Sequence, residues 1–239
     1  MGRDWARNLQ QWYTALVTLQ REYVLDGVRA ELVEFCELIT ALSTTELRQP
    51  SRCTDWTVAH VAGHVIGTAV DVSQGRFEGQ GTAAVNQRQA RERLGRSPQL
   101  LAEELVTANT QLVDLLASIP PEQWQHPAPN DPAFSTGFAI EAIWYDAFLH
   151  ADDIRAALGI ESARGDGLIC AVEHIAGYLT QQGRSLTLDL DGLEPINVGD
   201  GGPRVTADPL RFVLVATGRD DPATLGLGPW VNVYGDLAE

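Results

Sequence analysis

Apolar residues recur at helical spacing along most of the chain. Trp5, Leu9, Trp12, Leu16, Leu19 and Tyr23 share one face of residues 4–24, a stretch closed by Asp26-Gly27. Val28, Leu32, Phe35, Ile39 and Leu42 alternate between spacings of four and three, one stripe of a second helix over 28–42. Ser43-Thr44-Thr45-Glu46 matches a capping box, in which a hydroxyl and a carboxylate satisfy each other's free backbone amides. Thr54 or Asp55 is the expected cap of a third helix ending near Ser73, because a short side-chain oxygen reaches an amide two or three residues on. The polar, Gly- and Arg-rich stretch 74–97 reads as a solvated connection. Pro98 opens a helix over 98–118 with Leu101, Leu105, Leu112, Val113 and Leu116 as its apolar face, and Pro120-Pro121 stops it. A proline-rich loop leads into a long helix over 137–158, closed by Gly159.

The period changes after Gly165. Residues 166–182 still read as a helix, but Ser185–Leu190 alternates and is rich in Thr and Leu, the pattern of a strand. Gly199-Asp200-Gly201-Gly202-Pro203 is a turn. It is followed by a short strand over Arg204–Thr206, a helix over Pro209–Thr217 and a final strand over Trp230–Tyr234. The expected fold class is α+β, mostly α. An N-terminal helical extension (1–27) precedes a four-helix bundle (28–162) and a small α+β domain (163–239).

Composition narrows the chemistry. The 239 residues carry 17 strong cations against 32 carboxylates, a formal charge of −15. Such a chain is repelled by phosphate backbones and anionic membrane surfaces, so nucleic acid and membrane are not expected partners. No apolar run is long enough to cross a bilayer, and the N-terminus lacks the features of a signal peptide. Every strong cation is Arg; there is no lysine. Schiff-base and P-loop lysines are therefore excluded, and an anionic group must be met by Arg, His or backbone amides. The missing lysines also point to a GC-rich genome. Cys36, Cys53 and Cys170 are odd in number and form no CxxC pair, which suits a reducing cytoplasm. Cys36 lies on an apolar stripe, Cys53 in a turn and Cys170 in a helix.

Two helices carry metal-ligand chemistry. One holds Trp56-Thr-Val-Ala-His60-Val-Ala-Gly-His64 and the other Trp144-Tyr-Asp146-Ala-Phe-Leu-His150. Each pair is four residues apart and shares a helix face. Imidazoles and carboxylates from facing bundle helices hold divalent ions, and three ligands with an open position form the catalytic pattern. Asp152 and Asp153 are placed to orient His150 or to meet Arg155. Arg88, Arg91, Arg93 and Arg96 cluster in the connection as a candidate anion-attracting lid.

The segment from Cys53-Thr-Asp-Trp-Thr-Val to His64 resembles the second-helix motif of the DinB-like, mycothiol-dependent maleylpyruvate isomerase family. Asp146-Ala-Phe-Leu-His150 followed by Asp and small residues resembles that family's second motif. Gly218-Arg219 and Gly235-Asp236 resemble marks of its C-terminal domain. The resemblance spans roughly residues 28–239 and implies a DinB-like four-helix bundle with a small α+β domain. It implies a divalent metal, most often zinc, on His64, Asp146 and His150. It also implies mycothiol as a thiol cosubstrate whose thiolate attacks a small electrophile. In an isomerase the thiolate adds to a double bond, the bond rotates and the thiol leaves; in an S-transferase the adduct is the product. The family's metal carboxylate is usually Glu, so Asp146 would draw the ion nearer its helix. His60 stands where the family more often has an acidic or polar residue, and reads as a second partner to the site, a fourth ligand or a substrate contact. Arg219 is the expected clamp for a substrate carboxylate, because guanidinium meets carboxylate in a two-pronged fork. A water-activating metal hydrolase and a non-catalytic ligand-binding protein on the same fold remain the alternatives. The expected setting is cytoplasmic, as a monomer or homodimer, and the GC-rich inference agrees with an actinobacterial source, where mycothiol would be available.

Overall fold

The computed structural model describes residues 19–235. Most of the expected helix over 4–24, with Trp5 and Trp12, lies outside them, as does Asp236. The first described helix, α1, runs unbroken from Arg21 to Thr40. The break expected at Asp26-Gly27 does not occur. Gly27 serves close packing instead: a Cβ there would fall 2.2 Å from the Trp144 ring. The stripe of Val28, Leu32, Phe35, Ile39 and Leu42 is buried throughout, as its spacing requires.

Three further long helices complete a bundle: α2 (Val58–Ser73), α4 (Pro98–Ser118) and α5 (Thr136–Leu158). The short α3 (Ala83–Arg91) lies in the connection between α2 and α4. Contacts run α1 to α4, α4 to α2, α2 to α5 and α5 back to α1, a closed ring around one core. Each chain reversal has a local cause. Ser43 and Glu46 form the expected reciprocal capping bonds after α1. Ser97 caps α4 with Pro98 in its first turn, and Gly159 ends α5 in the left-handed conformation at φ 67°.

Helix α6 (Asp166–Gln181) packs on the outer side of α5 and carries a small sheet. The strands are β1 (Leu186–Leu190), β2 (Ile196–Val198) and β3 (Arg204–Ala207), in the order β2-β1-β3. β1 pairs antiparallel with β2, Leu186 opposite Val198, and parallel with β3, Leu188 opposite Val205. Leu186, Leu188 and Leu190 point into the core. Helix α7 (Pro209–Ala216) then packs on α6. The strand expected over Trp230–Tyr234 is instead a 3-10 turn over Pro229–Val231 and an irregular tail. Val231 and Val233 are both buried, so the alternation reported burial without a partner strand. The chain is α+β and mostly helical, and no described helix is long and apolar enough to cross a membrane.

Candidate metal centre

The site begins with the cap of α2. Thr57, not Thr54 or Asp55, is the N-cap, and His60 closes a capping box with it. The Thr57 amide donates to His60 Nδ1 at 3.2 Å. That bond commits His60 to the helix start, and His60 is not among the grouped metal-ligand side chains. His64, one turn on, is buried and faces α5. Gly63 and Gly67 flank it at the crossing with α3. A Cβ on Gly63 would lie 2.8 Å from the Ala90 carbonyl, and one on Gly67 would lie 2.4 Å from Gln89. The bare glycine face lets α3 press in until Gln89 Oε1 reaches His64 Nδ1 at 2.9 Å.

From α5 come Asp146 and His150. His64 Nε2 is 3.2 Å from Asp146 Oδ2, and His150 Nε2 is 3.4 Å from Asp146 Oδ1. One ligand atom from each of the three lies within 4.8 Å of the others. The far side of each imidazole is fixed. Gln89 Nε2 is held by Asp71 Oδ2 at 2.7 Å and by Gln80 Oε1 at 3.1 Å, so its oxygen must face His64. His150 Nδ1 meets Asp153 Oδ2 at 2.9 Å. Both Nδ1 atoms therefore carry the hydrogen in the neutral rings, and both Nε2 lone pairs aim at one carboxylate. Three converging lone-pair donors repel one another unless a cation sits among them. Protons can supply it: burial opposes the charge of Asp146, yet the His150 and His64 imidazoles hold it well below the usual carboxylate range. Burial likewise opposes a charge on His150, but Asp146 holds its pKa well above the ordinary value. A divalent ion satisfies the same three donors, and two imidazoles with one carboxylate are a standard set for one. Asp146 keeps 25% of its side chain exposed while His64 keeps 5%, so the cluster opens on the carboxylate side.

Asp153 is the hub behind His150. It is fully buried, and it accepts from Arg219 Nε at 2.8 Å, Arg219 Nη2 at 2.6 Å, Arg52 Nε at 3.1 Å and the Cys53 thiol at 3.2 Å. Burial works against its charge, but Arg219 and His150 hold Asp153 well below the usual range. The Arg219 fork expected to face a substrate carboxylate is thus filled by Asp153, behind His150. Asp152 pairs with Arg52 rather than Arg155. Cys53 also lies 3.9 Å from His150 Nδ1 and 3.8 Å from Arg219 Nη2. With His150 and Asp153 it makes a second grouping of ligand type. Sequence reasoning missed Gln89, Arg52, Cys53 and the buried pair Tyr145–Tyr234, whose hydroxyls are 2.7 Å apart. Burial, with Asp146 nearby, pushes Tyr234 up to about 12.

Trp56 covers one side of the centre. Its ring centroid is 5.5 Å from that of His64, 6.3 Å from His60 and 6.4 Å from His150, and its Nε1 donates to Gln87 Oε1 on α3 at 3.1 Å. The arginine cluster proves mostly self-neutralised. Arg88 pairs with Asp71 and Glu92, and Arg93 and Arg96 pair with Glu104.

A ring of four helices here presents two imidazoles and a carboxylate from facing positions, a grouping of the kind that can hold a metal ion. The family model described as mycothiol maleylpyruvate isomerase N-terminal domain matches residues 28–155, which hold the whole triad. The match covers more than half of the chain, and the chain belongs to that family. Among solved structures it is similar to the mycothiol-dependent maleylpyruvate isomerase and to a histidine-to-alanine mutant of it. Each gives a TM-score of 0.63 at 16% identity over 88% of this chain and 95% of the other. At that identity the likeness establishes the shared fold. No curated protein matches the sequence.

Proposed function

We propose that this protein is a metal-dependent enzyme that uses a low-molecular-weight thiol, mycothiol, against a small electrophile, as an isomerase or S-transferase of the maleylpyruvate isomerase type. The observation that carries the reading is the convergence of two Nε2 lone pairs and one carboxylate, with both Nδ1 atoms tied back to Gln89 and Asp153. Family membership supports the thiol and the substrate type. His64, Asp146 and His150 would hold the ion, zinc by the chemistry of the set. When bound, such an ion stabilises a thiolate over a thiol at neutral pH.

The protein's own groups do the rest. Gln89 and Asp153 fix the two ring tautomers, so neither imidazole turns its lone pair away from the centre. Arg219 and Arg52 act through Asp153, holding its charge and position. Trp56 supplies an apolar wall that keeps bulk water from one side. The paired hydroxyls of Tyr145 and Tyr234 stay protonated near neutral pH, because burial raises both. They remain hydrogen-bond donors beside Asp146. A cytoplasmic location belongs to the same reading.

The test is metal analysis of the purified protein beside His64→Ala and His150→Ala, together with turnover of maleylpyruvate with and without mycothiol. The expected result is close to one equivalent of metal in the native protein, loss of metal in the variants, and isomerisation only with thiol. Full occupancy in the double variant refutes the triad. Activity without thiol favours the hydrolase, and a metal-free protein carrying a tightly held ligand favours the binding protein.

A further inference from the structure

With the Arg219 fork filled, the question is what meets the charge of a substrate. Around the centre, Arg52 and Arg219 are held by Asp152 and Asp153, and Arg88, Arg93 and Arg96 by Asp71, Glu92 and Glu104. Arg91 stands apart. It is exposed, and its guanidinium makes no ion pair or hydrogen bond among the described residues. It ends α3, one turn after Gln87, so residues 87 and 91 share a helix face. Gln87 holds the Trp56 indole, and that ring stacks on His60 and covers His64 and His150. The face that carries Arg91 is therefore the one turned to the site's aromatic wall. Its charge is felt there: burial, and then Arg91, lower the pKa of His60. In a chain of net charge −15, an unpaired guanidinium on the helix face turned to that wall offers a small anion its counter-charge.

We propose that Arg91, with Trp56 and His60, forms a subsite for a carboxylate of the small-molecule substrate at the outer edge of the triad. A single guanidinium matches a carboxylate in charge and in its planar, two-pronged geometry. The Trp56 ring offers the adjoining carbon skeleton an apolar surface leading toward His64 and His150. The proposal rests on the reading of the triad as a substrate-binding centre, and it assigns to Arg91 the counter-charge that Arg219 does not offer.

The probe is succinate, an unreactive small dicarboxylate, with neutral succinamide as its control. Binding to the metal-containing protein is followed by NMR of the His60 ring. Native protein, Arg91→Ala and Arg96→Ala are compared; the last removes the same charge from the same cluster. Succinate is expected to shift the His60 resonances and raise its pKa in the native protein and in Arg96→Ala. Arg91→Ala should bind about tenfold more weakly, the scale of one charge-assisted hydrogen bond. Its His60 pKa should already stand higher before succinate is added. Succinamide should leave His60 unmoved throughout. Equal succinate affinity in native protein and Arg91→Ala, an equal loss in Arg96→Ala, or a His60 ring that ignores succinate overturns the proposal. With maleylpyruvate and mycothiol, Arg91→Ala should raise KM for the acid and leave KM for the thiol and kcat unchanged. A rise in the thiol KM alone assigns the subsite to the thiol and overturns the substrate assignment. Native protein that binds succinate at His60 yet turns over no maleylpyruvate refutes the isomerase reading and leaves the subsite standing.

Discussion

Glu31 sits inside the α1–α5 interface, 7% exposed, where its Oε2 accepts from Trp144 Nε1 at 3.3 Å. Burial, and then the neighbouring Glu34, push its pKa from 4.5 up to about 7, against smaller opposing effects of Trp144 and Arg155. A carboxyl whose pKa is raised on folding binds its proton more tightly in the native state. Its stabilising contribution is complete below about pH 4.5 and is lost as pH climbs through 7. At 1.36 kcal/mol per pH unit, the interval between those two values is worth about 3 kcal/mol. Glu31→Gln keeps an oxygen for Trp144 and removes the titration. Urea unfolding of both proteins, followed by tryptophan fluorescence, measures the difference directly. The two should be of similar stability at pH 4.5. At pH 8 the variant should be more stable, the gap having widened by about 3 kcal/mol. Repulsion from the rest of this acidic chain is common to both proteins and cancels in the comparison. A gap that stays constant from pH 4.5 to 8 refutes the argument that Glu31 is charged at a cost in the native core.

Gly27→Ala forces a methyl toward the Trp144 ring, where the ideal Cβ position is 2.2 Å away. It should cost about 1–3 kcal/mol of overpacking, read as a lower Tm; an unchanged Tm would show that α1 and Trp144 do not meet so closely. Gln89→Leu removes the acceptor of His64 Nδ1 and should weaken metal binding by about 10- to 100-fold in a chelator competition. Unaltered affinity there would mean that Gln89 does not set the His64 ring.

The parts of this fold that repeat every three or four residues were readable from the chain. The buried stripe of Val28, Leu32, Phe35 and Ile39 and the boundaries of α4 and α5 follow from spacing and caps. The shared faces of His60 with His64 and of Asp146 with His150 were legible in the same way, and the structure brings His64, Asp146 and His150 together; their role as ligands belongs to the proposal. Two of the misreadings come from residues with two physical uses. Gly27 read as a helix end but permits a close approach, and the Val231–Val233 alternation read as a strand but reports burial alone. The surroundings of the triad were not readable, because their contacts are remote in sequence. Arg52 lies 101 residues from Asp153, and Arg219 lies 66 from it. Gln89 was hidden in a stretch whose polar composition looked like solvated connection. Only the paired glycines at 63 and 67, a bare face on an otherwise buried helix, signalled that something packs there.

The two imidazoles of the triad are held differently, and the difference ties the C-terminal part of the chain to the proposed metal centre. His64 is backed by a neutral amide, which fixes its ring without altering its charge. His150 is backed by a buried carboxylate, and a carboxylate alone would favour the imidazolium, which has no lone pair to give a metal. Asp153 is not alone. Two guanidiniums share it, Arg52 from the turn before α2 and Arg219 from the end of α7. With Arg52 and Arg219 on it, Asp153 stays a carboxylate and accepts the His150 Nδ1 hydrogen without taking the proton itself. The same guanidiniums offset the burial cost of Asp153, which unpaired would be several kcal/mol. The stretch matched by the family model, 28–155, contains His64, Asp146, His150, Asp153 and Arg52, but not Arg219 or Tyr234. The small C-terminal region is therefore part of the electrostatic unit that holds Asp153 behind His150. Removing it would change the chemistry of His150 as well as subtract a neighbouring layer of the fold.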